Sequence, residues 1–169
     1  MPQGPYVPLG TLRRAVTYPL SPEEVDDAVV RTTVEEVGLG HFLDRLDEDT
    51  TWEHVLSGGE KQRLAFARAL IQHPEIIVMD EATAALDPLG QEQLMRLLLE
   101  RLPGATIISV GHRAELEAFH TRKLVLEYHA DGARLVSDES IRRTFGRSAR
   151  LLSKLPTRKK SRKMSNSAR

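Results

Sequence analysis

Between residues 57 and 110 the apolar positions switch repeatedly between helical spacing and short unbroken runs, and each switch marks an element. Leu64, Ala67, Leu70 and Ile71 recur at helical spacing, so one face of a helix turns inward until His73-Pro74 stops it. The run Ile76-Ile77-Val78-Met79 then reads as a short buried strand that delivers Asp80 and Glu81 at its C-terminal end. Pro88 opens another helix, with Leu94, Leu97 and Leu98 on one face, and Pro103-Gly104 closes it. Ala105 to Val110, rich in β-branched residues, is a second buried strand. Lys123–Tyr128 and Ala133–Ser137 read as two strands joined by a turn at Asp131-Gly132. From Asp138 a last helix is expected, with Ile141, Phe145, Leu151, Leu152 and Leu155 as its apolar residues. The pattern predicts a mixed α/β core.

The earlier residues are patterned differently. Met1 to Gly10 carries three prolines and two glycines, so it forms a loop rather than an element. Ser21-Pro22-Glu23-Glu24 is a helix start, with a capping serine, proline at the first position and acids in the first turn. Gly38 suits a left-handed cap at that helix's end. Leu39 to Trp52 reads as a second, short helix and a loop.

Candidate chemistry concentrates at residues 57–60. Ser57 can cap a helix N-terminus and Glu60, three residues on, can reach back to it. Gly58 and Gly59 let the backbone approach a ligand closely, with N–H groups pointing outward at the positive end of the helix dipole. That arrangement holds an anion such as a phosphate.

Charge changes the picture at one end of the chain. The 169 residues have a formal net charge of zero, yet residues 142–169 hold 11 Lys/Arg and no acid. Residues 1–141 therefore carry the other 13 Lys/Arg against all 24 Asp/Glu, an acidic body with a basic tail. The length suits one domain with a real core. Cysteine is absent, which excludes disulfides and thiolate metal sites. No apolar run approaches the ~20 residues that span a bilayer, and no signal peptide is visible, so the chain reads as soluble and cytosolic. Pro156 to Arg169 has little to bury and is expected to be disordered; its basic run could meet anionic lipid head groups or nucleic acid, or remain a solvated tail.

Taken in tandem, LSGGE at 56–60, IIVMDE at 76–81 and Ala85-Leu86-Asp87 resemble the signature motif, Walker B strand and D-loop of the ABC ATPases. PQGPYVPLGTLRRAVTYP at 2–19 and SVGHR at 109–113 look most like one subgroup of half-transporters. That subgroup includes the peroxisomal fatty-acyl transporters and the bacterial peptide and cobalamin uptake proteins related to SbmA and BacA. The resemblance implies a partial P-loop NTPase core with a helical signature subdomain. Residues 1–10 would be the Q-loop segment, 11–70 the helical subdomain, 71–137 the α/β core, 138–155 a C-terminal helix and 156–169 the tail.

It also implies roles, with ATP and Mg2+ as cofactors. Asp80 would hold magnesium and Glu81 would polarise the attacking water as general base, while His112 and Gln3 would sense the γ-phosphate and metal. Ser57, Gly58, Gly59 and Glu60 would bind nucleotide held by a second ATPase subunit in a head-to-tail dimer, with Asp87 communicating across that interface. The implied partners are that subunit and a transporter membrane domain, at the cytoplasmic face of a membrane, with no nucleic acid expected. Glu60 stands where glutamine is commoner and Ala84 where serine is commoner.

No G-x-x-x-x-G-K-[ST] occurs in the chain, and by resemblance this phosphate-cradling loop should precede Gln3. The expectation is a truncated sequence, an alternative start or a gene remnant, poorly stable alone and without measurable ATP hydrolysis. Two other readings stand beside the transporter ATPase. One is a soluble ABC ATPase acting on ribosomes or DNA; the other is a non-catalytic remnant.

Overall fold

A loop of prolines leads into the first element of this computed structural model, which describes residues 1–2, 4–111 and 114–141. The chain forms two compact units, Met1–Leu116 and Glu117–Arg169. In the first, β1 (Gly10–Thr11) passes directly into α1 (Leu12–Thr17), where the Thr11 hydroxyl accepts from the Arg14 N–H at 3.2 Å. Leu12, Ala15 and Val16 bury the inner face of that turn. Half-buried Arg68 anchors the entry segment, its guanidinium donating to the Tyr6 and Ala15 carbonyls at 2.7 Å and lying 5.3 Å from the Tyr18 ring. Burial pulls that guanidinium down to about 10, so it stays cationic at neutral pH.

The helix expected from Ser21 starts later. Ser21 and Glu24 close only a single 3-10 turn at Pro22–Glu24, the Glu24 carboxylate accepting from the Ser21 N–H at 2.6 Å. Val25 is extended, and Asp26 then restarts the chain by capping α2 (Asp27–Glu36), accepting from the Ala28 N–H at 2.8 Å. Two successive cap residues therefore produce two short elements instead of one long helix. The end falls as predicted. Gly38 sits at φ +82, with its N–H on the Glu35 carbonyl and the Leu39 N–H on the Val34 carbonyl, the pair of bonds that closes a Schellman motif.

A 3-10 turn at Gly40–Arg45 follows, then β2 (Asp49–Thr50), which pairs antiparallel with β1, and α3 (Trp52–Val55). The long central helix α4 (Gly58–Gln72) ends where His73 adopts a left-handed conformation, before Pro74. It buries Gln62, Leu64, Ala65, Phe66, Ala67, Ala69 and Leu70, a wider face than four apolar positions implied, while Ile71 is only half-buried.

β3 (Ile76–Asp80), α5 (Pro88–Arg101) and β4 (Thr106–Val110) complete the α/β part. The two strands pair in parallel, Ile76 with Thr106 through Asp80 with Val110. Their predicted positions hold, but the expectation of fully buried strands does not. Ile77 and Met79 are buried, whereas Ile76, Val78, Ile108 and Val110 are all at least 49% exposed. The register puts these four on one face, so the sheet is covered on its other side alone. The free edge of β3 is also partly paired: the Met1 amino group donates to the Val78 carbonyl and the Asp80 N–H to the Met1 carbonyl at 2.9 Å.

The second unit holds an antiparallel hairpin, β5 (Arg122–His129) and β6 (Gly132–Ser140), with a bulge at Val125/Leu126. The helix expected from Asp138 does not begin there, because β6 continues through Ser140 opposite Arg122. Asp138 instead takes a bidentate contact from Arg122 at 2.6 and 2.7 Å, which ties the last strand residues to β5. The rest of that predicted helix and the basic tail lie outside the described residues. No described helix is long and apolar enough to cross a membrane.

Candidate functional site

The site grows from the capping box that the spacing of Ser57 and Glu60 predicted. The Ser57 hydroxyl accepts from the Glu60 N–H at 3.3 Å and donates to the Glu60 carboxylate at 2.7 Å; the Ser57 N–H donates to the same oxygen at 2.8 Å. The Lys61 N–H returns to the Ser57 carbonyl. That leaves the N–H groups of Gly58 and Gly59 without a partner among the described residues, at an exposed positive helix end.

Glu60 spends its other oxygen on the His41 Nε2, 2.9 Å away. Burial alone would raise this carboxyl; the Ser57 hydroxyl and N–H, with His41, outweigh it and hold the group below its ordinary value near 4.5. Its folded value is depressed, so its contribution to stability is present above that ordinary value and is lost as pH falls through the lowered one. His41→Ala should therefore move the Glu60 carboxyl upward in an NMR pH titration. An unchanged titration would remove His41 from the cap.

Opposite this helix end lies the turn after β3. Glu81 takes a left-handed backbone at φ +46, its N–H bonded to the Val110 carbonyl at 3.0 Å and its carbonyl accepting from the Ala84 N–H at 2.9 Å. A non-glycine residue in that region is strained, and such residues are held where the surroundings determine them. The turn continues through buried Thr83, whose hydroxyl donates to the buried Gln91 carboxamide at 3.0 Å. Asp87 ends it by capping α5, accepting from the Gly90 N–H.

Glycines bring the two pieces together. A Cβ on Gly58 would stand 3.4 Å from the Ala85 Cβ, and one on Gly59 would stand 3.2 Å from the Ala85 carbonyl oxygen. Both glycines thus pack directly on the turn between Glu81 and Asp87, and at Gly59 a side chain would need the Ala85 carbonyl to give way by a few tenths of an ångström. Asp80 is exposed at the end of β3. Gln3 and His112 lie outside the described residues.

Three residues here escaped the sequence pattern. Gln62 is buried and bridges α4 to the turn, its Oε1 accepting from the Ala85 N–H at 2.9 Å and its Nε2 donating to the Glu81 carbonyl at 3.4 Å. The signal was a polar residue at 62 on the face shared with Phe66 and Ala69. Arg63 donates to the Val37 carbonyl at 2.7 Å and packs against Gly38 and Gly90, joining α2, α4 and α5. His41 had no sequence signal, since its partner is 19 residues away.

Chemically, this corner is a helix N-terminus able to attract an anion. It offers the Gly58 and Gly59 N–H groups beside the turn that follows Glu81, while the Ser57 hydroxyl proton is engaged by the Glu60 carboxylate. It does not by itself provide a metal cage: no group of three or more His, Asp or Glu able to hold an ion occurs among the described residues. Asp80 would need oxygen donors from the phosphates themselves. A cleft of about 390 Å³ lined by Tyr6, Tyr18, Arg68, Ile76 and Val78 lies along the outer edge of β3, and none of the described site residues lines it.

Comparison with known proteins points to one family. The family pattern described as ABC transporter matches residues 8–84. An uncharacterized ABC transporter ATP-binding protein of Haemophilus influenzae is 40% identical over 128 residues, 75% of this chain and 21% of its own length. The lysosomal cobalamin transporter ABCD4 of mouse is 41% identical, over 79% of this chain and 23% of that protein. ATP-binding cassette sub-family D member 3 of mouse is 37% identical, over 78% and 20%. Among solved structures, a bacterial Atm1-family ABC exporter with ATP bound superposes with a TM-score of 0.70 at 29% identity, covering 82% of this chain and 24% of the exporter. The chain spans about a fifth of the length of the relatives it matches. It belongs to the ATP-binding domains of the ABC transporter family.

Proposed function

We propose that this chain supplies the signature and Walker B portions of the ATPase in an ABC transporter, coupling ATP hydrolysis to transmembrane transport. The observation that carries this reading is the packing of Gly58 and Gly59 on Ala85, which seats an anion-attracting helix end on the turn that follows Glu81. Ser57 and the N–H groups of Gly58 and Gly59 would contact the γ-phosphate of ATP held by a second ATPase subunit arranged head to tail. Glu81 would orient the attacking water and accept its proton. Magnesium bound with the nucleotide would neutralise charge on the phosphates, with Asp80 as its protein ligand. Gln3 and His112 would sense that phosphate and metal, and Asp87 would relay between subunits. The partners are a membrane domain and the second ATPase subunit, at the cytoplasmic face of the membrane; relatives that are transporters by name support this placement.

The test is ATP-dependent association with a P-loop-bearing ABC ATPase subunit. ATP should promote a complex, and Ser57→Arg should abolish its ATP dependence, because a long cation would fill the space where the phosphate meets the helix end. ATP-independent association, or none, would overturn the reading.

A further inference from the structure

Gln62 is the buried polar side chain that touches both halves of the site. It is 2% exposed, and both ends of its carboxamide are used. Oε1 accepts from the Ala85 N–H at 2.9 Å, and Nε2 makes a longer contact of 3.4 Å to the Glu81 carbonyl. The two backbone groups it joins sit at opposite ends of one tight turn, so a single side chain from α4 spans that turn. Glu81 holds a left-handed backbone there, a conformation that a glutamate does not favour without outside restraint. The Ala85 that Gln62 holds is also the residue against which Gly58 and Gly59 pack.

We infer that Gln62 is a positioning residue of this site. Its carboxamide fixes the Glu81 turn at a set distance from the signature helix end, so the water-orienting carboxylate and the phosphate-binding N–H groups move as one body. The inference rests on the ATPase reading above, and it assigns to α4 a coupling role that its apolar packing alone does not require. Phosphate contact comes from Ser57, Gly58 and Gly59, and Gln62 makes none; the carboxylate it steers acts in hydrolysis. Loss of Gln62 should therefore weaken turnover more than nucleotide affinity.

The experiment compares the parent with Gln62→Met, which keeps volume and removes both hydrogen bonds, and Gln62→Glu, which keeps the acceptor for the Ala85 N–H but faces the Glu81 carbonyl with a second oxygen. The readouts are kcat and KM for ATP in the assembled ATPase containing this chain, melting temperature, and hydrogen exchange at the Ala85 amide. Gln62→Met should lower kcat about 10–100-fold, as a misplacement of catalytic geometry does, with KM changed less than about two-fold and Ala85 exchanging faster. Gln62→Glu should keep Ala85 protected and still lower kcat. If Gln62→Met does not fold, Gln62→Glu alone decides, since its retained Ala85 protection separates positioning from collapse. Unchanged kcat in either folded variant, or kcat and KM moving together in step with melting temperature, overturns the role. Where the parent turns over ATP and Glu81→Gln does not, such a result strikes Gln62 alone. A parent without Glu81-dependent turnover overturns both readings.

Discussion

Replacing Glu81 by glutamine is expected to lower ATP turnover about 10²–10⁴-fold in an assembled ATPase that contains this chain, with nucleotide still bound. The turn at Glu81 is held through its backbone. Glu81 is held by its N–H on the Val110 carbonyl and by its carbonyl, which receives the Ala84 N–H and the Gln62 carboxamide. These contacts run through the backbone, and glutamine has the same length and branching as glutamate. The turn should keep its left-handed φ of +46 and its packing on Gly58 and Gly59. What disappears is the negative charge to which the proposed mechanism assigns the proton of the attacking water. Binding groups on the signature helix stay in place, so ATP should remain trapped between subunits. Steady-state turnover measured beside ATP retention checks this. Turnover within a few fold of the parent would show that another group serves as base and that Glu81 is held in its strained conformation for some other reason.

The second large effect concerns the support of the signature helix rather than its chemistry. Trp52→Ala is expected to destabilise the chain by about 3–5 kcal/mol, the range for losing a buried large aromatic. Trp52 is fully buried, with its indole N–H donating to the Glu48 carbonyl at 3.0 Å. The Phe42 ring meets it edge-on at 5.4 Å, and the Arg45 guanidinium lies 5.0 Å from the ring. Removing it would leave a cavity, an unpartnered carbonyl and a loosened contact for Phe42. The Leu56 N–H bonds to the Trp52 carbonyl, so the disturbance reaches the residue just before the cap at Ser57. Urea unfolding followed by circular dichroism measures the loss, because the chain's single tryptophan is removed with the mutation and cannot serve as the fluorescence probe. Trp52→Phe, which keeps an aromatic ring beside Phe42, should lose less. A loss below about 1 kcal/mol for Trp52→Ala would mean that the cavity closes by collapse.

Local chemistry made much of this molecule legible in advance. The box at Ser57 and Glu60, the stop at His73-Pro74, the left-handed cap at Gly38 and the strands at 76–80 and 106–110 each depend on residues within a few positions of one another. Such short-range preferences act on the chain wherever it folds. The α2 start is the exception that illustrates the rule: Ser21 and Asp26 are both good caps, and local pattern could not decide between them because the chain uses both.

Tertiary structure decided the rest. Alternating burial along β3 depends on which face of the sheet the rest of the chain covers, and an unbroken apolar run contains no information about that. Continuation of β6 through Ser140 depends on cross-strand pairing, with Arg122 reaching Asp138. The contacts that organise the site are of the same kind. Gln62 meets Ala85 across 23 residues, His41 meets Glu60 across 19, and Arg63 meets Val37 across 26. A polar side chain has many partners it could reach, and only the packed chain chooses one. The sequence by itself marked the helix start at Ser57–Glu60 as a place for an anion and the strand end at Asp80-Glu81 as a pair of carboxylates; the fold determined that the helix end and the turn after Glu81 are held against each other, through buried polar contacts that long-range packing alone could specify.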